Sequence, residues 1–289
     1  MYKGGRSVAE DYLTLQWDGV PYRLRRETDL GWLRPYGRVF YIFDEQPSGN
    51  LCFGVEGRYG RLFIKYAGAR TIYYAGRPED AIFTLQRAMP LYAPPHPALT
   101  QLLAHGPAGA GYAAVFRWRD APMLRGPQGS VRERVRRLQL GRSLKMLDMV
   151  FDLHAALAER GYIAVDFQDS NVLIDFARDE AIVCDIDLYR RKPAVNDRGR
   201  MQGSARFLSP EEYALGAPLT ESTTVYALGA LAHEFFGDNM NRAAESWEGP
   251  PQLFAVAEKA TAERPEDRYP SLRAFVAAWR ETVGNIWVR

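Results

Sequence analysis

Residues 161–211 run GYIAVDFQDSNVLIDFARDEAIVCDIDLYRRKPAVNDRGRMQGSARFLSPE, and this stretch decides how the rest of the chain is read. Asp166 and Asn171 share one loop, and Asp185 follows the apolar run Ala181, Ile182, Val183, Cys184. A short apolar run that ends in an acid is the pattern of a buried strand delivering a carboxylate at its end. Two carboxylates and one amide so spaced suit a metal-bound triphosphate. Mg²⁺ takes hard oxygen ligands and keeps most of its waters, so one Asp and one amide oxygen suffice on the protein side. The second Asp can then orient an attacking hydroxyl and accept its proton.

Composition bounds this reading without making it. The 289 residues could hold one large domain or two small ones, and 47% hydrophobic residues are enough for a sizeable core. A net charge of +2 is too balanced to signal nucleic acid. Cys52 and Cys184 both sit inside apolar, strand-like segments, as reduced core residues do. No apolar run approaches ~18 residues, and the start, MYKGGRSVAEDY, has no hydrophobic leader region. The expectation is a cytoplasmic enzyme or binding protein with no membrane span.

Working outward, residues 1–38 alternate β-type residues around turns (Tyr12, Leu13, Leu15, Trp17, then Tyr22 and Leu24), as an extra hairpin or extended arm would. From residue 39, VFYIFDE, LCFGVEG and RLFIKYAG are three strands of a twisted antiparallel sheet, separated by turn-rich segments. Alternation places Leu62 and Ile64 on one face and Phe63 and Lys65 on the other. Residues 77–89 make a helix with Pro78 in its first turn, where Glu79 and Asp80 either complement the helix dipole or pair with Lys65. Residues 113–124 supply a further strand, and residues 143–160 a strongly amphipathic helix stopped by Gly161. The run Arg132, Arg134, Arg136, Arg137, Arg142, Lys145 is the solvated face of a helix, or a surface that draws acidic substrates.

At these residues the chain resembles the eukaryotic-type protein kinase family. The family's catalytic loop, HRDLKxxN, is met by AVDFQDSN at 164–171, its DFG by Asp185, Ile186, Asp187, and its GTxxYxAPE by GSARFLSPE at 203–211. TVYALGALAHEFFG at 224–237 is similar to the helix at the base of the family's large lobe, and ERPEDRYPSL at 263–272 to its closing pattern. The likeness covers about 39–283, strong from 160 onward and loose before it. It implies a bilobal α+β fold: a small, mainly antiparallel β lobe over 39–117 and a larger helical lobe over 118–289. It also implies Asp166 as the catalytic base, with Asn171 and Asp185 on Mg²⁺ or Mn²⁺. Lys65 would hold the α and β phosphates of ATP, and Ser48, Gly49 and Asn50 would give backbone donors to them. Backbone groups from Phe116 to Trp118 would face the adenine, and Arg268 would pair with Glu211. The implied activity is phosphoryl transfer to a serine or threonine of a protein substrate.

The departures from the family pattern are specific. Val165 replaces the arginine that receives a phosphorylated activation segment, so no such switch is expected. Gln168 replaces a lysine beside the γ phosphate, which removes a cation from the transition state and predicts slow or unusual catalysis. Phe63 stands where the family has alanine against the adenine, the glycine-rich loop keeps only Gly49 and Gly54, and no acid falls mid-helix to pair with Lys65. Thr224 replaces an aspartate that braces the catalytic loop. Two alternatives follow: a pseudokinase scaffold, and a small-molecule phosphotransferase of the aminoglycoside or choline kinase kind. The latter relatives generally lack the SPE segment and the closing RPxxR pattern present here.

Overall fold

The computed structural model describes residues 12–125 and 130–287. Residues 1–11 of the expected N-terminal extension lie outside them. The fold mixes antiparallel sheets with helices, as an α+β chain does, and divides into two compact units: residues 1–90 with 101–119, and residues 91–100 with 120–289.

The first unit is built on a five-stranded antiparallel sheet. Its strands are β3 (Arg38–Phe43), β4 (Asn50–Gly57), β5 (Gly60–Ala67), β6 (Leu102–Ala108) and β7 (Gly111–Arg117), in the order β3-β4-β5-β7-β6. Helix α1 (Pro78–Ala88) packs on β5 and β7 through Ala81, Leu85 and Ala88. Ahead of the sheet, β1 (Leu13–Trp17) and β2 (Val20–Leu24) form a hairpin whose turn, Asp18-Gly19, has φ of 51° and 84° at its two central residues. Positive φ at both positions matches the right-handed twist of the flanking strands, and Asp-Gly tolerates it. The Asp18 carboxylate accepts the N–H of Val39 at 2.8 Å, tying the hairpin to β3. Tyr22, Leu24, Leu30 and Leu33 are buried in one core with Val39, Leu51, Phe53, Leu62, Ile64 and Tyr66. The arm is therefore part of this unit's core, and its apolar residues fill the sheet face that Leu62 and Ile64 present.

The second unit is organised by helices α2 (Ser130–Arg136), α3 (Leu140–Glu159), α4 (Glu221–Phe236), α5 (Pro251–Ala260) and α6 (Leu272–Trp287). Helix α4 is buried along nearly its whole length, the mark of a central helix wrapped on all sides. Phe151 of α3 meets Phe275 and Trp279 of α6 edge-on, with centroids 5.0 and 5.3 Å apart. Short strands close the rest: β8 (Tyr162–Ile163) with β11 (Arg190–Arg191), β9 (Val172–Asp175) with β10 (Glu180–Val183), and β12 (Ala194–Val195) with β13 (Pro218–Leu219). Residues 91–100 belong to this unit because Ala98 and Thr100 bond to Val183 of β10.

Candidate functional site

The β9–β10 hairpin does the first positioning. Its register pairs Val172 with Val183, so Asn171 and Cys184 continue from the same end, and the N–H of Cys184 donates to the carbonyl of Asn171 at 2.8 Å. Asp185 is thus delivered beside Asn171 at the end of a strand. The loop before β9 is held from outside by Thr224 of α4, whose hydroxyl oxygen accepts the N–H of Ala164 at 3.0 Å. A hydroxyl can make this bond without a charge, so the missing aspartate leaves the loop braced. Inside the loop, Asn171 Oδ1 accepts the N–H of Gln168 at 3.0 Å. A carboxamide oxygen has two lone pairs, so this bond orients Oδ1 without exhausting it. Asp166 and Asp185 both adopt left-handed backbone, with φ of 65° and 57°. Among residues with a side chain, Asp and Asn reach that region most easily, because their short polar groups bond locally.

Electrostatics couple the two acids. Burial, followed by the negative charge of Asp185, pushes the Asp166 carboxyl up to about 7. A cation at Asp185 would remove the second cause, so the carboxylate pair and the Asn171 carboxamide fit a hard divalent ion that brings its own waters and phosphate oxygens. They do not form a cage by themselves: among the described residues, no group of three or more His, Cys, Asp or Glu could hold a metal.

The segment after Asp185 is fastened back onto this loop. Tyr92 donates its hydroxyl to Asp187 Oδ1 at 2.6 Å and accepts the N–H of Ile186 at 3.3 Å, clamping the turn that carries Asp185. Both Tyr92 and Asp187 are buried. Gln168 Oε1 accepts the N–H of Ser204 at 3.0 Å, while its Nε2 lies 3.5 Å from Asp166 Oδ1. Gly203, with φ of 121°, comes so close that a Cβ there would stand 3.2 Å from Asp166 Oδ1. Arg206 bridges Asp169 Oδ2 at 2.5 Å and Glu234 Oε2 at 2.8 Å, and Arg132 reaches the other Glu234 oxygen at 2.9 Å. Arg268 and Glu211 form the expected buried pair, through two parallel bonds of 2.8 and 3.0 Å.

The remaining sequence-derived residues lie in the first unit. Lys65 is buried on the sheet face opposite the core, its ammonium 6.0 Å from the Phe116 ring centroid. Phe63 shares that face with an aromatic series: it meets Phe43 at 5.7 Å, Phe116 at 6.5 Å and Trp118 at 6.3 Å, and Phe40 meets Trp118 at 4.9 Å. The ring is therefore packed against its neighbours in the strand ladder.

The other expected binding residues are also held within the first unit. The N–H groups of Arg117 and Trp118 already donate to Gln101 and Arg61 carbonyls at 3.0 and 3.2 Å, and Phe116 is paired on both sides in the sheet. Those two amide hydrogens are therefore engaged within the first unit. At the loop of Ser48, Gly49 and Asn50, Tyr74 lies against Gly49, 2.6 Å from where a Cβ would be, and the Gly49 N–H turns back to Gln46 at 3.4 Å. Ser48 is exposed, whereas Asn50 is buried with no hydrogen bond to its Oδ1. Asp80 Oδ2 accepts the N–H of Arg77 at 3.4 Å and its Oδ1 pairs with the Arg77 guanidinium at 2.9 Å, which accounts for its charge at the helix start.

Tyr92, Thr224, Asp187 and Arg206 carry much of this arrangement without a place in the expected residue set. In the sequence, Thr224 stood at the bracing position, Asp187 in the Asp185-Ile186-Asp187 match and Arg206 within an arginine-rich segment, whereas Tyr92 gave no signal. No protein-family model matches the sequence, and no curated protein matches it either.

Proposed function

We propose that this chain is a divergent protein kinase-like phosphotransferase, moving the γ-phosphoryl group of ATP, with Mg²⁺ or Mn²⁺, to a serine or threonine hydroxyl of a protein. In this reading the five-stranded unit is the small lobe of a kinase fold and the helical unit the large lobe. The observation that carries it is the grouping of Asp166, Asn171 and Asp185 around one end of the β9–β10 hairpin, two of them acids in mutual repulsion.

Asp166 has the properties of a proton acceptor at neutral pH. A carboxyl near 7 is balanced between its two forms, where general-base catalysis is most effective. Asp185 and Asn171 would hold the metal, which when bound supplies positive charge to the transferred group. Gln168 gives no charge to the transfer; its amide holds the Ser204 backbone instead, so a lower rate than a lysine would allow is expected. The assignment of Lys65 to phosphates comes from its place in Leu-Phe-Ile-Lys and belongs to the same proposal.

The test is incorporation of label from ATP into a generic protein substrate with Mg²⁺ or Mn²⁺, for the wild type beside Asp166→Asn and Asp185→Asn. Loss of label by about 10²-fold or more in both variants supports the reading. Equal label in all three ends it.

One observation favours a second reading, a scaffold that no longer turns over nucleotide. The aromatic series around Phe63 and the ring of Tyr74 on Gly49 occupy places where a kinase keeps room for base and phosphates. A ligand that binds only the folded state raises its melting midpoint. The absence of a shift at millimolar ATP would select the scaffold.

A further inference from the structure

The segment between Leu188 and Leu208 carries six cations and one acid, Asp197. Three of the cations are used inside the fold: Arg190 pairs with Asp197 at 2.8 Å, Lys192 with Glu221 at 2.5 Å, and Arg206 with Asp169 and Glu234. The other three, Arg191, Arg198 and Arg200, are exposed. Among the described residues Arg191 and Arg200 pair with no carboxylate, and Arg198 makes one long, exposed ion pair, with Asp197 at 4.0 Å.

These arginines do not hang on a slack loop. Asn196 is fully buried; its Oδ1 accepts the N–H groups of Arg198 and Gly199 at 3.0 Å, and its Nδ2 donates to the carbonyls of Gly199 and Glu211 at 2.5 and 3.1 Å. The turn is thereby fixed to the segment after Pro210, and Arg200 lies over the Tyr213 ring at 5.9 Å. Arg200 also donates to the carbonyls of Met201 and Gly203 at 3.1 Å. Gly203 is the residue that abuts Asp166, so a positive charge is held one residue from that carboxylate. Beside the arginines stand three exposed apolar side chains, Val195, Tyr213 and Leu215, at 52%, 43% and 73% exposure.

We infer that this surface binds an acidic peptide: Arg198 and Arg200 meet its carboxylates, and Val195, Tyr213 and Leu215 meet its apolar side chains. That the peptide is the phosphate acceptor, with its acids close to the accepting hydroxyl, rests on the phosphotransfer reading. The charge complementarity does not. Two arginines set among apolar side chains suit a mixed peptide better than a phosphate backbone, whose binding takes a longer run of cations.

The test measures binding directly, by fluorescence anisotropy, with a labelled peptide holding one serine among glutamates and apolar residues, and with its lysine counterpart. The wild type is expected to bind the glutamate peptide at least about tenfold more tightly, and salt is expected to narrow the difference. Arg198→Gln is expected to weaken it about fivefold, and Arg198→Gln with Arg200→Gln further, while Arg200→Lys, which keeps the charge, changes little. Arg273→Gln, an exposed arginine on α6, serves as the control and leaves binding unchanged. Equal binding of the two peptides, an unaltered double variant, or tighter binding of a single-stranded oligonucleotide than of the glutamate peptide overturns the inference. Selective binding without label transfer overturns the phosphotransfer reading and leaves the acidic-peptide surface in place.

Discussion

Arg268 and Glu211 face each other across a buried, two-armed ion pair, Nη1 to Oε1 at 2.8 Å and Nη2 to Oε2 at 3.0 Å, with Thr223 donating a third bond to the carboxylate at 2.9 Å. Arg268 also donates to the carbonyls of Ala262, Ser222 and Glu263, so one guanidinium holds the end of the SPE segment to the start of α4 and to the turn before α6. Removing one partner strands the other charge in the interior. Arg268→Met or Glu211→Gln is expected to cost about 3–5 kcal/mol by chemical denaturation, and the double variant less than the sum. Burial raises the Glu211 carboxyl, but the hydrogen bonds and charge of Arg268 hold it, on balance, below its ordinary value. The stability this pair contributes is therefore present above the ordinary glutamate range and lost as pH falls through the depressed value.

Asp166 has the opposite sign. Its carboxyl is raised to about 7, mainly by burial, so the folded chain holds a proton that the unfolded chain releases near 4. Stability is expected to fall as pH rises from about 4 to 7, by a few kcal/mol. Glu212, raised to about 7 chiefly by burial, adds to the same trend. Thermal melts across this range should show Asp166→Asn flatter than the wild type and more stable at pH 8. Millimolar Mg²⁺ should narrow the difference if it binds beside Asp185.

Thr224 offers a sharp substitution series. Thr224→Val removes the acceptor for the buried Ala164 N–H while keeping the shape, which is expected to cost about 1–3 kcal/mol. Thr224→Ser keeps the hydroxyl and should stay within about 1 kcal/mol of the wild type. Denaturation midpoints of the two variants check the difference.

Tyr92→Phe deletes one hydroxyl that serves both Asp187 and the Ile186 N–H. If the proposed metal site at Asp185 holds, loss of such an outer contact is expected to raise the metal concentration for half-maximal activity about tenfold. A titration with Mg²⁺ at saturating ATP reads this out. A change confined to stability would assign Tyr92 to the fold alone.

What the sequence made legible was local. Periodicity and turn residues located β3, β4, β5, α1 and α3 to within a few residues, because those elements repeat over a single stretch of chain. The placement of Leu62 and Ile64 against the core, with Phe63 and Lys65 opposite, followed from the two-residue period. The Tyr92 brace was not legible, since it bonds a residue 95 positions away, and the bond of Ala164 to Thr224, 60 positions away, was marked by the resemblance alone. A tyrosine after a helix and a threonine in a helix give no periodic signal of such a partner. The N-terminal segment read as an extra hairpin or an extended arm, and the bond of Asp18 to β3 that ties it down is encoded by no alternation of its own residues.

The left-handed backbone at Asp166 and Asp185 limits what those two positions can be. Glycine or asparagine would meet the same dihedral demand, glycine more easily, and neither would set one negative charge against another in a buried place. Geometry asks for a small set of residues there and is indifferent to charge. The electrical tension between the two acids is thus an extra load that the turns themselves do not require, and a cation is the species that would relieve it.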